Sequence, residues 1–191
     1  MPLITITSPA VNTVAQTGLT ISGTCESGLA ISLSGAGISA PVSTACTSGA
    51  FSSAVTFSNG DGTKNIVASQ TDVAGNSGSA NRNFIRDTSS PLITITGPAV
   101  NTVAQNGLTV SGTCESGLTV SLSGTGISVP VSTTCTSGAF SAAIVFSSGD
   151  GTKNIVAGQT DASGNAGSDN RGFIKDTTTP LITITGPAVN T

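Results

Sequence analysis

The chain has 191 residues, only 8% of them charged and none of them histidine, and six Lys plus Arg against nine Asp plus Glu leave a net charge of −3. No basic stripe is available to neutralise a phosphate backbone, which argues against nucleic-acid binding, and no apolar run approaches the roughly 18 residues of a membrane span, so this segment is not expected to insert. Polarity comes from Gly, Ser, Thr and Asn, residues that suit strands and turns.

Short alternating runs follow one another from the N-terminus. They are Ile4 and Ile6; Leu19, Ile21, Gly23 and Cys25; Leu29, Ile31 and Leu33; Ile38, Ala40, Val42 and Cys46; and Phe51, Val55 and Phe57. Residues 64–71 and 81–87 complete about seven strands. Turn signals rich in Gly, Ser, Asn and Asp separate them at residues 26–28, 34–37, 47–49, 59–62 and 74–78. Strands this short and regularly spaced, with no competing helical period, predict an all-β fold of immunoglobulin-like antiparallel sandwiches. The facing of the sixth run stays open, because Lys64, Ile66, Ala68 and Gln70 share one parity while Asn65 and Val67 take the other.

The hexapeptide Pro-Leu-Ile-Thr-Ile-Thr starts at Pro2, Pro91 and Pro180, a period of 89 residues. The two full copies align without a gap and differ at 21 positions, mostly by small exchanges such as Ile21 to Val110 or Arg86 to Lys175. A period of this length is a whole domain rather than a solenoid turn. The domains are therefore residues 1–90, residues 91–179, and residues 180–191 as the first strand of a truncated third copy. Met1 stands where Ser90 and Thr179 precede Pro in the later copies, and no signal peptide is visible, so the chain reads as a piece cut from a longer array.

Four cysteines fall as Cys25 with Cys46 and Cys114 with Cys135, one pair per copy at the same spacing. Cys25 is in phase with Leu19 and Ile21, and Cys46 with Ile38 and Val42, so both sulfurs point inward where they can meet. Metal-ligand and redox readings lack a Cys-x-x-Cys spacing or any His, which leaves one structural disulfide per copy and an oxidising compartment. In the chain-entropy model each closure contributes about 3 kcal/mol.

The ordered segments at residues 23–28, 46–51, 60–64, 70–76 and 86–88 resemble bacterial immunoglobulin-like (Big-type) tandem repeats of large secreted cell-surface and adhesin proteins. The resemblance covers the whole chain. It implies an extended rod, with export to the bacterial cell surface and with neighbouring repeats of the same protein as the immediate partners. Antibody-type domains carry a Trp beside a bridge between strands B and F. Here Trp is absent and the cysteines are closer in sequence, which points to a bridge from strand B to the segment before strand E. The junction at residues 87–91 carries Pro after Ser and Thr, which stiffens it.

Catalysis is not expected, since no Ser, Cys or carboxylate has an evident base partner. Asp72 and Asn76, Asp161 and Asn165, with Asp87 and Asp176 at the junctions, are candidate Ca²⁺ ligands, as related adhesin repeats imply. Against that stands a turn in which Asp72 and Asn76 bond the backbone, which is the favoured reading. Lys64 and Lys153 raise a Lys to Asn cross-link, against a solvated or snorkelling lysine. Thr-rich faces such as Thr5 and Thr7, or Thr20 and Ser22, raise a sugar or ice surface, against the favoured reading as the outer face of a half-buried strand.

Two functions remain. The first is a structural stalk or spacer in a surface fibre or adhesin. The second is a repeat-borne binding module that holds a cell-surface glycan or neighbouring fibres through avidity, in adhesion, biofilm or filament assembly. Residues 181–185, a strand without a domain behind it, invite self-association at a sheet edge.

Overall fold

Residues 1–186 are described by the computed structural model, and they divide into two compact units, one of Met1–Ser90 with Thr160–Asn165 and one of Pro91–Gln159 with the residues from Ala166 on. The first unit contains β1 (Thr5–Ser8), β2 (Val14–Ala15), β3 (Gly18–Thr24), β4 (Ala30–Ser34), β5 (Val42–Ala45), β6 (Ala50–Thr56), β7 (Gly62–Thr71) and β8 (Ser77–Arg86). Its sheets have the orders β1-β3-β6 and β2-β8-β7-β4-β5. All named pairs are antiparallel except β2 with β8, which run parallel with Val14 opposite Ile85. After β1 the chain therefore crosses to the other sheet, where the two residues of β2 lie against the last strand.

Alternation sorts the two faces of each sheet. Ile6, Ile21, Phe51 and Val55 point inward from the three-stranded sheet, and Ile31, Leu33, Ile66, Ala68 and Phe84 from the five-stranded one. Each fully buried side chain of this size contributes about 1.5–3 kcal/mol. The parity left open in the sixth run is resolved by β7, which buries Lys64, Ile66, Ala68 and Gln70.

The second unit repeats the plan with β9 (Thr94–Gly97), β10 (Val103–Ala104), β11 (Gly107–Thr113), β12 (Thr119–Ser123), β13 (Val131–Thr134), β14 (Ala139–Val145), β15 (Gly151–Thr160) and β16 (Ala166–Lys175). Its sheet orders are β14-β11-β9 and β10-β16-β15-β12-β13, and its core gathers Ile95, Val110, Val120, Leu122, Phe140, Ile155 and Phe173.

Disulfides join Cys25 to Cys46 and Cys114 to Cys135, each with a Cα–Cα distance of 6.0 Å. In the first unit the bridge runs from the end of β3 to the segment ahead of β6. Around it, Cys25 N–H donates to the Gly49 carbonyl and Gly28 N–H to the Cys46 carbonyl, both at 3.0 Å. The turn into β6 has positive φ at both central residues, Ser48 at 52° and Gly49 at 78°, the geometry that matches the twist of paired strands. Thr47 and Ala50 close it by a bridge.

Several boundaries depart from the pattern. The run from Ile38 to Cys46 is a strand only at Val42–Ala45, because Ile38 turns away to bridge Phe57 on the other sheet. The last strand begins at Ser77, four residues before the expected 81, since β7 and β8 pair continuously from Gly62 with Arg86 to Thr71 with Ser77. Two-residue β2 was not expected at all. Residues 180–186 form no strand, and the remainder of the expected third-copy segment, 187–191, lies outside the described residues.

Replacing Cys25 and Cys46 together by Ser should lower the unfolding free energy of the first unit by about 3 kcal/mol. Denaturant melts with and without the exchange measure it, and the second unit should be unchanged.

Candidate functional site: the two ends of a repeat

Each repeat receives its first strand across a pair of glycines. A Cβ placed on Gly23 would lie 1.8 Å from the Thr5 carbonyl oxygen, and one on Gly78 would lie 2.0 Å from that of Pro2. No side chain fits at either place, so the backbone of residues 2–6 settles directly on both sheets' glycine positions. Gly112 and Gly167 stand in the same relation to Thr94 and Pro91, at 2.0 and 1.9 Å. Seated this way, Ile4 and Ile6 are each 5% exposed.

Arg82 on β8 then binds the strand by its main chain. Its Nη1 donates to the Pro9 carbonyl at 2.6 Å and the Thr7 carbonyl at 3.1 Å, while Nη2 donates to the Ile6 carbonyl. Arg171 repeats this with the carbonyls of Pro98, at 2.7 Å, and Ile95. A guanidinium suits the task because its planar fork can serve several carbonyls at once. The copies differ in detail: Arg82 reaches the Thr7 carbonyl, a bond that Arg171 does not repeat, and Ile95 N–H donates to Asp169 Oδ2 at 2.7 Å, where the corresponding residue of the first repeat is Ala80.

The far end of the repeat is held by a carboxylate. Asp61, in the turn ahead of β7, accepts from Thr88 N–H at 3.1 Å, from Thr88 Oγ1 at 2.9 Å and from Ser89 Oγ at 3.2 Å. Asp150 accepts in the same way from Thr177 N–H at 3.1 Å, Thr177 Oγ1 at 2.8 Å and Thr178 Oγ at 3.3 Å. The Thr88 N–H and then the Thr88 hydroxyl hold the Asp61 carboxyl below its usual value, with help from Ser89 and the Arg86 charge. Thr177, Thr178 and Lys175 act alike on Asp150.

The expected Ca²⁺ ligands Asp72 and Asn76 do come together, as a closed turn. Asp72 Oδ1 accepts from Ala74 N–H and Asn76 N–H, and Oδ2 from Asn76 Nδ2, all at 2.9 Å. Asn76, through its side-chain amide first and its N–H second, holds the Asp72 carboxyl below its usual value. Asp161 accepts from Ser163 N–H at 2.8 Å, Asn165 N–H at 2.9 Å and Asn165 Nδ2 at 2.8 Å. Desolvation raises the Asp161 pKa, but the bonds from Asn165, Ser163 and Gly164 outweigh it and the net shift is downward. Asp87 and Asp176 each accept from the N–H two residues on, Ser89 at 3.0 Å and Thr178 at 2.9 Å. Among the described residues no three His, Cys, Asp or Glu side chains gather in a group that could hold a metal.

Lys64 and Lys153 are not solvated, at 6% exposure each. Lys64 Nζ donates to the Asn59 carbonyl at 3.1 Å and to Ser58 Oγ at 3.3 Å; Lys153 uses the Ser148 carbonyl at 2.9 Å and Ser147 Oγ at 3.2 Å. Gln70, 1% exposed, pairs with the backbone of Glu26: its Nε2 donates to the carbonyl at 2.7 Å and its Oε1 accepts the N–H at 3.0 Å. A shallow cavity of about 630 Å³ lies beside the edge strand β5, lined by residues 28–30 and 43–47, and carries no charged side chain. Arg82, Arg171, Asp61 and Asp150 escaped the reading of motifs. The available signal was their recurrence 89 residues apart in a chain with so few charges.

No protein-family model matches the chain, and no curated protein matches it. Among solved structures, a Ca²⁺-stabilized adhesin that helps an Antarctic bacterium reach out and bind ice is similar over 91% of this chain and 48% of its own, at 22% identity and a TM-score of 0.53. That similarity is one of fold. A tetra-tandem repeat in the extending region of a large adhesion protein is 26% identical over 92% of this chain and 50% of its own, with a TM-score of 0.42. Fibronectin(III)-like modules of Clostridium thermocellum CbhA are 14% identical over 91% and 94%, with a TM-score of 0.49. The chain thus spans about half the length of the two adhesins.

Arg82→Ala should destabilise the first repeat by about 2 kcal/mol, because it strips charged donors from carbonyls of the first strand. Arg82→Lys should recover little of the loss, since an ammonium lacks the fork; chemical melts decide. Carboxylates with folded pKa values below their unfolded ones bind fewer protons in the native state. Their contribution is therefore present above the ordinary value of about 3.9 and is lost as pH falls through the lower folded values. In the Asp61→Asn/Asp150→Asn chain, the melting midpoint should start lower at neutral pH and fall less steeply below about pH 4.

Proposed function

We propose that the repeats serve as an extended stalk or spacer of a bacterial surface fibre or adhesin, outside the cell, with no catalytic role. The observation that carries this reading is the recurrence of both end fixtures in consecutive repeats. Arg82 and Arg171 bind the incoming strand through the carbonyls of Pro9 and Pro98, and Asp61 and Asp150 bind the outgoing segment through Thr88 and Thr177, pairs that recur 89 residues apart. A recognition surface needs to occur once, whereas a spacer gains length from each copy. The disulfides fit an oxidising, extracellular setting, and the adhesin of similar fold supports the architecture of the unit. The Big-type resemblance names the kind of repeat, and neighbouring repeats are its natural partners.

The alternative, a repeat-borne binding module for glycan or neighbouring fibres, would use the open cavity beside β5.

Solution scattering tests the spacer. A compact body of 191 residues has a radius of gyration of about 16 Å. Two units, each built around strands of ten residues at about 3.3 Å per residue, exceed about 20 Å when placed end to end. A value near the compact figure overturns the rod, and glycan binding that grows with repeat number favours the module.

A further inference from the structure

Asparagine is followed by glycine at Asn59-Gly60 and at Asn106-Gly107. A glycine nitrogen is open to attack the preceding side-chain amide because no Cβ screens it, and the structure holds the two sites differently. Asn59 and Gly60 lie exposed in the bend ahead of β7. Gly60 has a φ of 80°, a Cβ placed on it would meet nothing within 4 Å, and its N–H donates to no acceptor among the described residues. Asn106 and Gly107 are instead locked against β14. Gly107 pairs with Val145, a Cβ on it would lie 2.0 Å from the Ile144 carbonyl oxygen, and the Asn106 carbonyl accepts from Phe146 N–H at 2.8 Å.

We propose that Asn59 is a self-modifying site, which loses its side-chain amide through a cyclic imide with Gly60 in a step that Lys64 accelerates. This goes beyond the spacer reading and does not depend on it. The Gly60 nitrogen gives up its proton and attacks Asn59 Cγ; the new N–C bond closes the ring as the bond from Cγ to the amide nitrogen breaks, and ammonia leaves with the proton. Water then opens the ring at either carbonyl, leaving an aspartate or its isomer linked through the side-chain carboxyl. The negative charge that develops on the Gly60 nitrogen is shared by conjugation with the Asn59 main-chain oxygen. That oxygen accepts from Lys64 Nζ at 3.1 Å, and the other partner of Nζ is the neutral Ser58 Oγ at 3.3 Å. An ammonium fixed where charge gathers stabilises the transition state, the more so because Lys64 is only 6% exposed.

The second repeat keeps the cradle, with Lys153 Nζ on the Ser148 carbonyl at 2.9 Å, but a serine has no amide to lose, so the reaction is confined to the first repeat. Its product is a carboxylate beside a buried ammonium. In the isomer the main chain also gains a carbon two residues ahead of Asp61, whose carboxylate holds Thr88 and Ser89, so the exit fixture of the first repeat alters as the protein ages.

The test is incubation of the full disulfide-bonded chain at mildly alkaline pH, folded and in denaturant, followed by peptide mass spectrometry, which reads each conversion as a gain of about 1 Da. Asn59 should convert about tenfold faster in the folded chain than in the denatured one, whereas Asn106 should convert more slowly when folded. Lys64→Met should slow Asn59 by about tenfold in the folded chain and leave its denatured rate unchanged. Should that variant fail to fold, the folded and denatured rates of the unmodified chain decide. Conversion of Asn59 no faster folded than denatured, or an undiminished rate in a folded Lys64→Met chain, overturns the proposal.

Discussion

Holding the first strand of each repeat is the constraint on which the remaining architecture rests. That strand is short, sits at a sheet edge, and pairs with one neighbour only, so its own ladder bonds give it little purchase. Burial of two isoleucines supplies most of the attraction, and the glycines at positions 23 and 78 allow the approach that burial requires. Arg82 reaches from the opposite sheet to the carbonyls that follow, where the chain must leave one sheet for the other. Without that grip the crossover from β1 to β2 would carry unpaired carbonyls at a crowded corner.

Charge is scarce in this chain and is used mainly to organise backbone. Arg82 binds carbonyls, Asp61 and Asp150 bind the segment that leaves a repeat, Asp72 and Asp161 close a turn, and even Lys64 spends its donors on a carbonyl and a hydroxyl. These partners lie inside the same repeat and are neutral. Lowered carboxyl pKa values at the turn and exit aspartates are the electrostatic trace of that arrangement.

Where one face is buried and the other solvated, the fold was legible in the sequence. Ile21 and Gly23 on β3, Ile31 and Leu33 on β4, and Phe51 and Val55 on β6 announced strands and facing together. Legibility failed where polar residues occupy the inner face. Lys64 and Gln70 flank Ile66 and Ala68, so the hydrophobic signal of β7 lost its ends, and only the backbone partners at Asn59 and Glu26 explain why burial is tolerated. Two-residue β2 offers no periodicity to detect. The end fixtures depend on pairs up to 76 positions apart, which no local pattern encodes, and the Asp72 turn was readable because its partners are four residues away.

The parallel pairing of β2 with β8 has a mechanical side. Val14 and Ala15 belong to the beginning of the repeat and Ile85 and Arg86 to its end, yet they lie side by side and point the same way. Tension drawn through the chain pulls these neighbours in opposite senses along their common axis. Their hydrogen bonds are then loaded in shear and must stretch together, rather than open one after another as in a zipper. Asn12 N–H to the Asn83 carbonyl, Ile85 N–H to the Thr13 carbonyl and Asp87 N–H to the Ala15 carbonyl are thereby the bonds loaded together once tension reaches β2, in a place where the two ends of one domain brace each other.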